Sequence, residues 1–553
     1  MPPRARSAGL ATLVVVALAA GCADLLGVKD IPPAKDGGGQ AESGAASDAG
    51  VDATTDGGGG SPDGADASAT DSAEPVPCGD GGGPLPDGAV APSGTLLYSS
   101  CYAQLEGVTS DDFVIFLDGT SDTTTPLYAL STQPGSAPIS LGSADNNNDV
   151  AVLGKVVLIG NSGSMQSIGS LSAWTSAAKS PTMLSAAAAP FGSLAYAASA
   201  DGSEVLFVDA VDLHGAGTLT IAAPDGTGRK ALVQDVDTTG NYCGLSLAFS
   251  GDQAVAAYCL AQPDGGAPAG GTVTTLAAFA GPSWSLRKLA SGVGLDTGLV
   301  VDTPQSRVIA NGPAGTVAYP LDGGAATTLD PTGEPGAFFG LPGVLGNDGG
   351  SLFYTTNAQA LDRAATTPPP SPTELVFAGS FADVFAVSPD QAWVVGGLFG
   401  MPGQSDLYLA SALGPGPATT LTTDTTSGLL GPAFTADSSH ALFFTSLDSV
   451  PAGTLTVAPV GAGVTATPRT LGSSCPTVAT TTGAKVIFAC NLEATGYAGD
   501  LFAADTSQAA APTLLVSRAV ASFFFNVEKT ELYYTVWGGH PGELPGLWRM
   551  PVP

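Results

Sequence analysis

Basic residues are scarce in this chain: 17 Lys and Arg stand against 49 Asp and Glu in 553 residues, a formal charge of −32 at pH 7. Nucleic-acid binding draws most of its affinity from neutralising phosphates, so the lack of any basic stripe excludes a nucleic-acid partner. The acidity itself reads as the solubility of an extracytoplasmic protein. Histidine is almost missing as well. His214, His440 and His540 stand far apart, so no metal centre or catalytic residue is assigned and no cofactor is implied. No G-x-S-x-G nucleophile elbow occurs. The longest apolar segment, residues 8–20, is too short to cross roughly 30 Å of hydrocarbon as a helix. Long helical windows are lacking too, because 75 Gly and 43 Pro interrupt nearly every candidate.

What remains is strand-like: short apolar runs rich in Val, Leu, Phe, Tyr and Thr, which point to an all-β chain. The first 22 residues differ. Arg4 and Arg6, the apolar segment 8–20 and Gly21-Cys22 follow the order of a secretory signal. The stretch "LAAGC", Leu18 to Cys22, resembles the lipobox of bacterial lipoproteins, which implies lipidation of Cys22 and a signal peptide over 1–21. It departs from that family in having Ala19 three residues before the cysteine, with Leu18 one step further out. The alternative is ordinary cleavage after Ala19, leaving Cys22 a plain thiol. Seven cysteines are present, so lipidating Cys22 leaves an even six for an oxidising compartment.

Residues 22–93 read as a tether. From Asp36 to Ser93 the composition collapses to Gly, Ala, Ser, Asp and Pro, and between Ala23 and Ser93 thirteen acidic residues face only Lys29 and Lys35. Such a segment buries too little apolar surface to offset its ordering entropy, and its charge extends it. Random-coil scaling gives a reach on the order of 40 Å. A calcium role for its aspartates is not supported, because "GGGGSPDG" lacks the Asp that the nonapeptide repeat requires.

From residue 94 to 553 one pattern returns: a polar turn followed by an apolar strand. It appears as "TSDDFVIFLDG" at Thr109, "SADGSEVLFVDA" at Ser199, "SGDQAVAAYCLA" at Ser250, "SPDQAWVVGGLF" at Ser388 and "TADSSHALFFTS" at Thr435. Weaker forms begin at Gly346, Thr481 and Val527. A second strand such as "DLYLAS" at Asp406 and a "TxL" segment usually follow. Units recur about every 46 residues, as propeller blades of four strands do, and about ten can be marked, more than the usual four to eight. The repeat resembles the TolB-like, WD40-like (PD40-type) propeller repeats of bacterial periplasmic proteins. That resemblance implies an all-β fold of four-stranded antiparallel blades, with tandem sandwiches as the competing architecture. TolB carries an α/β domain before its propeller where this chain has the tether, so a Tol-Pal role does not come with the repeat.

Cysteine spacing fits the same repeat. Cys243 and Cys259, and likewise Cys475 and Cys490, are placed to join the open ends of neighbouring strands, each loop contributing roughly 3 kcal/mol. Cys78 and Cys101 then pair by elimination. "TLLYSS" from Thr95 precedes the first unit while the last ends at "GLWRMPVP" without a fourth strand, so the N-terminal strand is expected to complete the C-terminal blade. "DNNND" at Asp145–Asp149 reads as a polar hairpin loop, since Val150 and Val156 stand where a calcium loop needs Gly and Glu. The function expected is that of a non-catalytic lipoprotein, membrane-anchored at the outer membrane or cell surface, whose propeller loops bind a protein or glycan. The alternative is a propeller hydrolase or lyase acting on envelope polysaccharide or peptide, with carboxylates, His or Arg gathered at the axis.

Overall fold

The computed structural model describes residues 89–553 except 120–124, 134, 145–149, 162–167, 190–195, 239–244, 262–272, 294–298, 313, 332–342, 356–359, 367–371, 377–382, 400–404, 424–426, 428, 430, 448–451, 462–466, 493–497 and 537–543. Every regular element described is a strand. The strands pair into antiparallel sheets that follow the chain: blades 1 to 7 occupy 103–144, 150–188, 196–237, 246–291, 300–330, 344–376 and 383–422, with four strands each. Blade 8, 440–475, keeps three strands, and its first is reduced to the bridge between Phe434 and Ala441. Pro432, which has no N–H to donate, precedes that bridge.

Blades 9 and 10 share one long strand. Thr513–Phe525 pairs through Val516 and Leu514 with Ala498–Asp505, the third strand of blade 9, and through Phe523–Phe525 with Glu531–Val536 of blade 10. The switch occurs beside Arg518, whose φ of 58° marks the kink. The strand Thr95–Tyr98 then pairs with Gly546–Pro551 and supplies the fourth strand of blade 10. N- and C-terminal segments thus close one ring of ten blades among the described residues.

Successive first strands run side by side: 103–108 beside 150–153, 196–198 beside 246–250, and on through 300–302, 344–345 and 383–387. The core accordingly divides into ten clusters, one per blade junction. Ile115 and Trp174 lie between blades 1 and 2, Leu407 and Phe443 between 7 and 8, and Phe116 and Tyr533 at the closing junction of 10 with 1. No junction is left uncovered.

The turn between first and second strands is built alike in several blades. Ser199 Oγ accepts the N–H of Glu204 (2.9 Å) and donates to Asp201 Oδ1 (2.8 Å), which accepts the N–H of Ser203 (3.0 Å). Ser388 with Asp390 and Thr435 with Asp437 repeat these contacts. In every blade this turn holds one residue at positive φ: Asp112, Gly154, Gly202, Gly251, Ser306, Gly349, Gln391, Ser438, Gly483 and Lys529. A Cβ there crowds the backbone, at a cost of roughly 1 kcal/mol.

Arginines tie blade to blade. Arg549 donates to Thr132 O (3.0 Å), Arg363 to Ala412 O (2.8 Å), Arg469 to Thr506 O (3.4 Å), Arg287 to Leu321 O and Arg307 to Thr366 O. All five acceptors occupy the same place, the residue just after the third strand of the following blade. Arg307 is also buried against Asp302, with Nε 3.4 Å from Oδ2 and the carboxylate 1% exposed.

Two outcomes follow for stability. Nothing lies within 4 Å of a Cβ at Gly251 or Gly483, so Gly251→Ala and Gly483→Ala measure backbone strain alone. Each should cost about 1 kcal/mol in denaturant titration, whereas Gly414→Ala, in open space without positive φ, should stay within about 0.5 kcal/mol. Arg307→Met should cost about 3–5 kcal/mol by removing the partner of both buried Asp302 and Thr366 O, and adding Asp302→Asn should restore only the part owed to the carboxylate.

Candidate functional site

The axis and the blade junctions were the two places where side chains could gather. Along the first strands the described side chains are mostly small or apolar, such as Val150, Ala198, Ala248, Val300, Val344 and Thr477. Their described carboxylates are Glu106 and Asp302, and Asp302 is committed to Arg307. Glu106 receives Gln104 Nε2 at 3.4 Å, and burial alone pushes its carboxyl up to about 8. Among the described side chains of these strands this leaves one carboxylate, whereas glycoside hydrolysis uses a pair.

The junction of blades 5 and 6 is different. On blade 5, Asn311, Thr316 and Asp330 stand in register across the second, third and fourth strands. On blade 6, Tyr354, Asp362 and Glu374 do the same. The two rows face each other: Asp330 lies close enough to raise the pKa of both Tyr354 and Asp362. Below them the junction is apolar, with Ile309, Ala318 and Leu352. Asn311 is 4% exposed, Asp330 6% and Tyr354 3%, while Asp362 is half-buried and Glu374 reaches the surface.

Thr316 Oγ1 donates to Asn311 Oδ1 (2.7 Å), yet Asn311 Nδ2, Tyr354 Oη and Asp362 Oδ1 are buried without a hydrogen-bond partner. Burial first, then Glu374 and Asp330, pushes the Asp362 carboxyl up to about 6. Burial and then the two aspartates push the Tyr354 phenol up as well. This niche lies at the end of blades 5 and 6 opposite the first-to-second-strand turns, where second strands give way to third. Gly315 makes its wall possible, since a Cβ there would collide with Asp330 O.

Of these six residues only Tyr354 falls within a repeat unit singled out from sequence, the weaker form beginning at Gly346. The only signal was polar residues interrupting an apolar strand at matching ends of two adjacent blades, as in "TTLD" and "LDRAA". Among the residues singled out from sequence, Cys475 and Cys490 form a disulfide from the last strand of blade 8 to the end of the second strand of blade 9. Gly472 leaves room for it, as a Cβ would lie 2.5 Å from Cys490 Sγ. Cys101 and Cys259 are disulfide-bonded too, while Cys22, Cys78 and Cys243 lie outside the described residues. His214 sits on blade 3, exposed and following its second strand; His440 opens the second strand of blade 8, with Nδ1 2.8 Å from Ser439 Oγ. His540 lies outside the described residues. Residues 145–149 do too, but their flanks correct the hairpin reading: Ile139–Ala144 ends blade 1 and Val150–Leu153 begins blade 2, so the segment connects blades.

Taken together, the pairing and packing define a ten-bladed β-propeller. No protein-family model and no curated protein sequence matches the chain. Among solved structures it is similar to the tricorn protease (11% identity, TM-score 0.30, covering 82% of this chain and 52% of that one) and to the β-propeller domain of the Trilobed protease from Pyrococcus furiosus (10%, TM-score 0.31, 67% and 97%). It is also similar to a eukaryotic initiation factor (9%, TM-score 0.41, 77% and 90%). The chain thus spans about half the length of the tricorn protease chain. At these TM-scores the likeness says nothing of activity.

The carboxylates set a pH dependence with two limbs. Asp302, raised to about 6 mainly by burial, and Asp362 hold their protons in the folded state after the unfolded chain has lost them. Stability should therefore fall as pH rises from about 4 to 6, by about 1–3 kcal/mol from these two groups, and Glu106, raised to about 8, should continue the fall toward pH 8; Asp362→Asn should remove part of the first stretch. In Asp201 the hydrogen bonds from Ser203 N and from the Ser199 and Ser203 hydroxyls hold the pKa below the ordinary value. Its contribution is present above about pH 4 and is lost as pH falls further. Thermal unfolding across pH 3–8 should show its maximum near pH 4–5.

Proposed function

We propose that this chain is a lipid-anchored extracytoplasmic protein of the TolB-like propeller kind, in which the ring binds a protein or glycan partner and performs no chemistry at its axis. The observation that carries this reading is where the chain enters the ring. Thr95–Tyr98 is the outermost strand of blade 10, and ahead of it Val90 exchanges hydrogen bonds with Ser517 on the outer strand of blade 9. Entry of the chain at the rim is compatible with partners meeting the loops of either face, and loops on a rigid ring are where recognition residues gather. The apolar first strands favour binding over catalysis at the axis.

The anchor is placed at Cys22 on the outer membrane or cell surface, through acylation of its thiol and new amino terminus. In intact cells Cys22 should incorporate labelled fatty acid, processing should be blocked by globomycin, and Cys22→Ser should release the protein from the membrane fraction. A wholly soluble mature chain beginning at Ala20 would reject the anchor. Crosslinking in the same cells should recover a partner attached through the loops of residues 94–553, and an uncrosslinked ring would reject the binding role.

A further inference from the structure

Leu213 stands at the tip of the loop between the second and third strands of blade 3 and is 94% exposed. Leu260 and Val273, on the corresponding hairpin of blade 4, are 52% and 59% exposed. Backbone pairing sets all three in one row. Ala216 and Gly217 pair with Asp237 and Val236, Val236 bridges to Leu260, and Tyr258 pairs with Thr275, which brings Leu260 and Val273 to the open end of one hairpin. The row is held firmly. Asp212 Oδ1 accepts the N–H groups of His214 (2.8 Å) and Ala216 (2.9 Å), Thr238 donates to Gly215 O from both N and Oγ1 (2.9 Å each), and Ala261 N donates to Asp235 O (2.6 Å). An apolar side chain displayed on a fixed turn loses little conformational freedom when a partner covers it.

The surroundings carry one sign of charge. Asp212 and Asp235 are exposed beside the row, the segment joining Leu260 to Val273 contains Asp264, and residues 209–216, 233–238 and 259–274 hold neither Lys nor Arg. Of the thirteen Lys and Arg in residues 94–553, all but Arg518 belong to the opposite end of the ring. They lie in first-to-second-strand turns, as Lys529 does, near the starts of fourth strands, as Lys230 and Lys288 do, or reach a carbonyl that follows a third strand, as Arg549 does.

We propose that this platform docks a segment of another protein that combines aliphatic and basic side chains. The apolar row supplies the burial, and the carboxylates select the sign of charge. Other occupants meet repulsion. The tether has thirteen acidic residues against two lysines, an anionic membrane surface repels the same carboxylates, and a second copy docked about a two-fold axis would set Asp212 and Asp235 against their own copies. The inference rests on the reading of the ring as a binding module and names the face and the partner chemistry.

The test is fluorescence anisotropy of short labelled peptides titrated with the full-length chain: one of Leu and Lys, one with Ser in place of each Leu, and one with Glu in place of each Lys. The Leu–Lys peptide should bind saturably, and the other two about tenfold more weakly or less. Leu213→Ser combined with Leu260→Ser should weaken the Leu–Lys peptide about tenfold, as loss of one or two buried aliphatic side chains does. Leu413→Ser alters a leucine 70% exposed after the third strand of blade 7, at the opposite end, and should leave binding unchanged. Asp235→Asn keeps a side chain that tolerates the positive φ of 58° there and should weaken binding about two- to threefold at low salt. Equal binding of the Ser–Lys peptide, or binding untouched by the double variant, would overturn the proposal. So would a dimer, or binding to phosphatidylglycerol vesicles, that the double variant abolishes. In-cell crosslinking that recovers the same partner from the double variant would reject the platform and leave the ring's binding role standing, so the two failures are told apart.

Discussion

A sheet that is apolar on both faces cannot stand alone in water, and every blade of this protein is such a sheet. The second strands show it most directly. Neighbouring residues Ile115 and Phe116 are both fully buried, yet they belong to the junctions on opposite sides of blade 1, and Ile487 and Phe488 divide in the same way on blade 9. Strict alternation of apolar and polar residues would expose one face. Continuous runs such as "FVIF", "VVLIG" and "VLFV" therefore demand a neighbour on each side, and a row of sheets under that demand ends only by meeting itself. Thr95–Tyr98 matters for this reason: it completes blade 10 and removes an open sheet edge.

Scarce cations are spent on the same problem. Five arginines reach across a junction to a carbonyl just after the neighbour's third strand, where Thr132, Leu321, Thr366, Ala412 and Thr506 are all buried. A buried carbonyl without a partner costs about 1–3 kcal/mol, and a long guanidinium can reach it from another sheet while its stem packs against the junction. Arginine held in this way is withdrawn from anion binding.

The ring was legible where turn chemistry and strand composition agreed. Ser199, Ser388 and Thr435 each carry a hydroxyl two residues before an Asp, and the contacts they make explain why those units stand out in sequence. Blades 2 and 5 left no quoted motif because their turns are built otherwise. Blade 2 turns through Gly154-Lys155 with no hydroxyl or carboxylate, and in blade 5 Asp302 takes the place of the serine and accepts Gln305 N itself. The merging of blades 9 and 10 through Thr513–Phe525 was not legible, since a continuous strand gives no punctuation where it changes partners. Nor was the niche: its six residues come from six strands on two blades and meet only through register, which local sequence does not encode.

Ring size leaves a mark in the core. Ten sheets around one axis diverge by about 36° each, a narrower wedge than in rings of the usual four to eight blades, so less volume separates facing strands. At two junctions several of the residues filling it are small. Ala254, Ala256 and Ala277 pack between blades 3 and 4, and Ala257, Ala278 and Ala310 between blades 4 and 5, all of them at most 1% exposed. The same geometry sets the first strands in a wide circle, so side chains from opposite blades do not meet at the axis. Polar groups that must act together are then more easily assembled between adjacent blades, where two rows in register lie face to face, than across the channel.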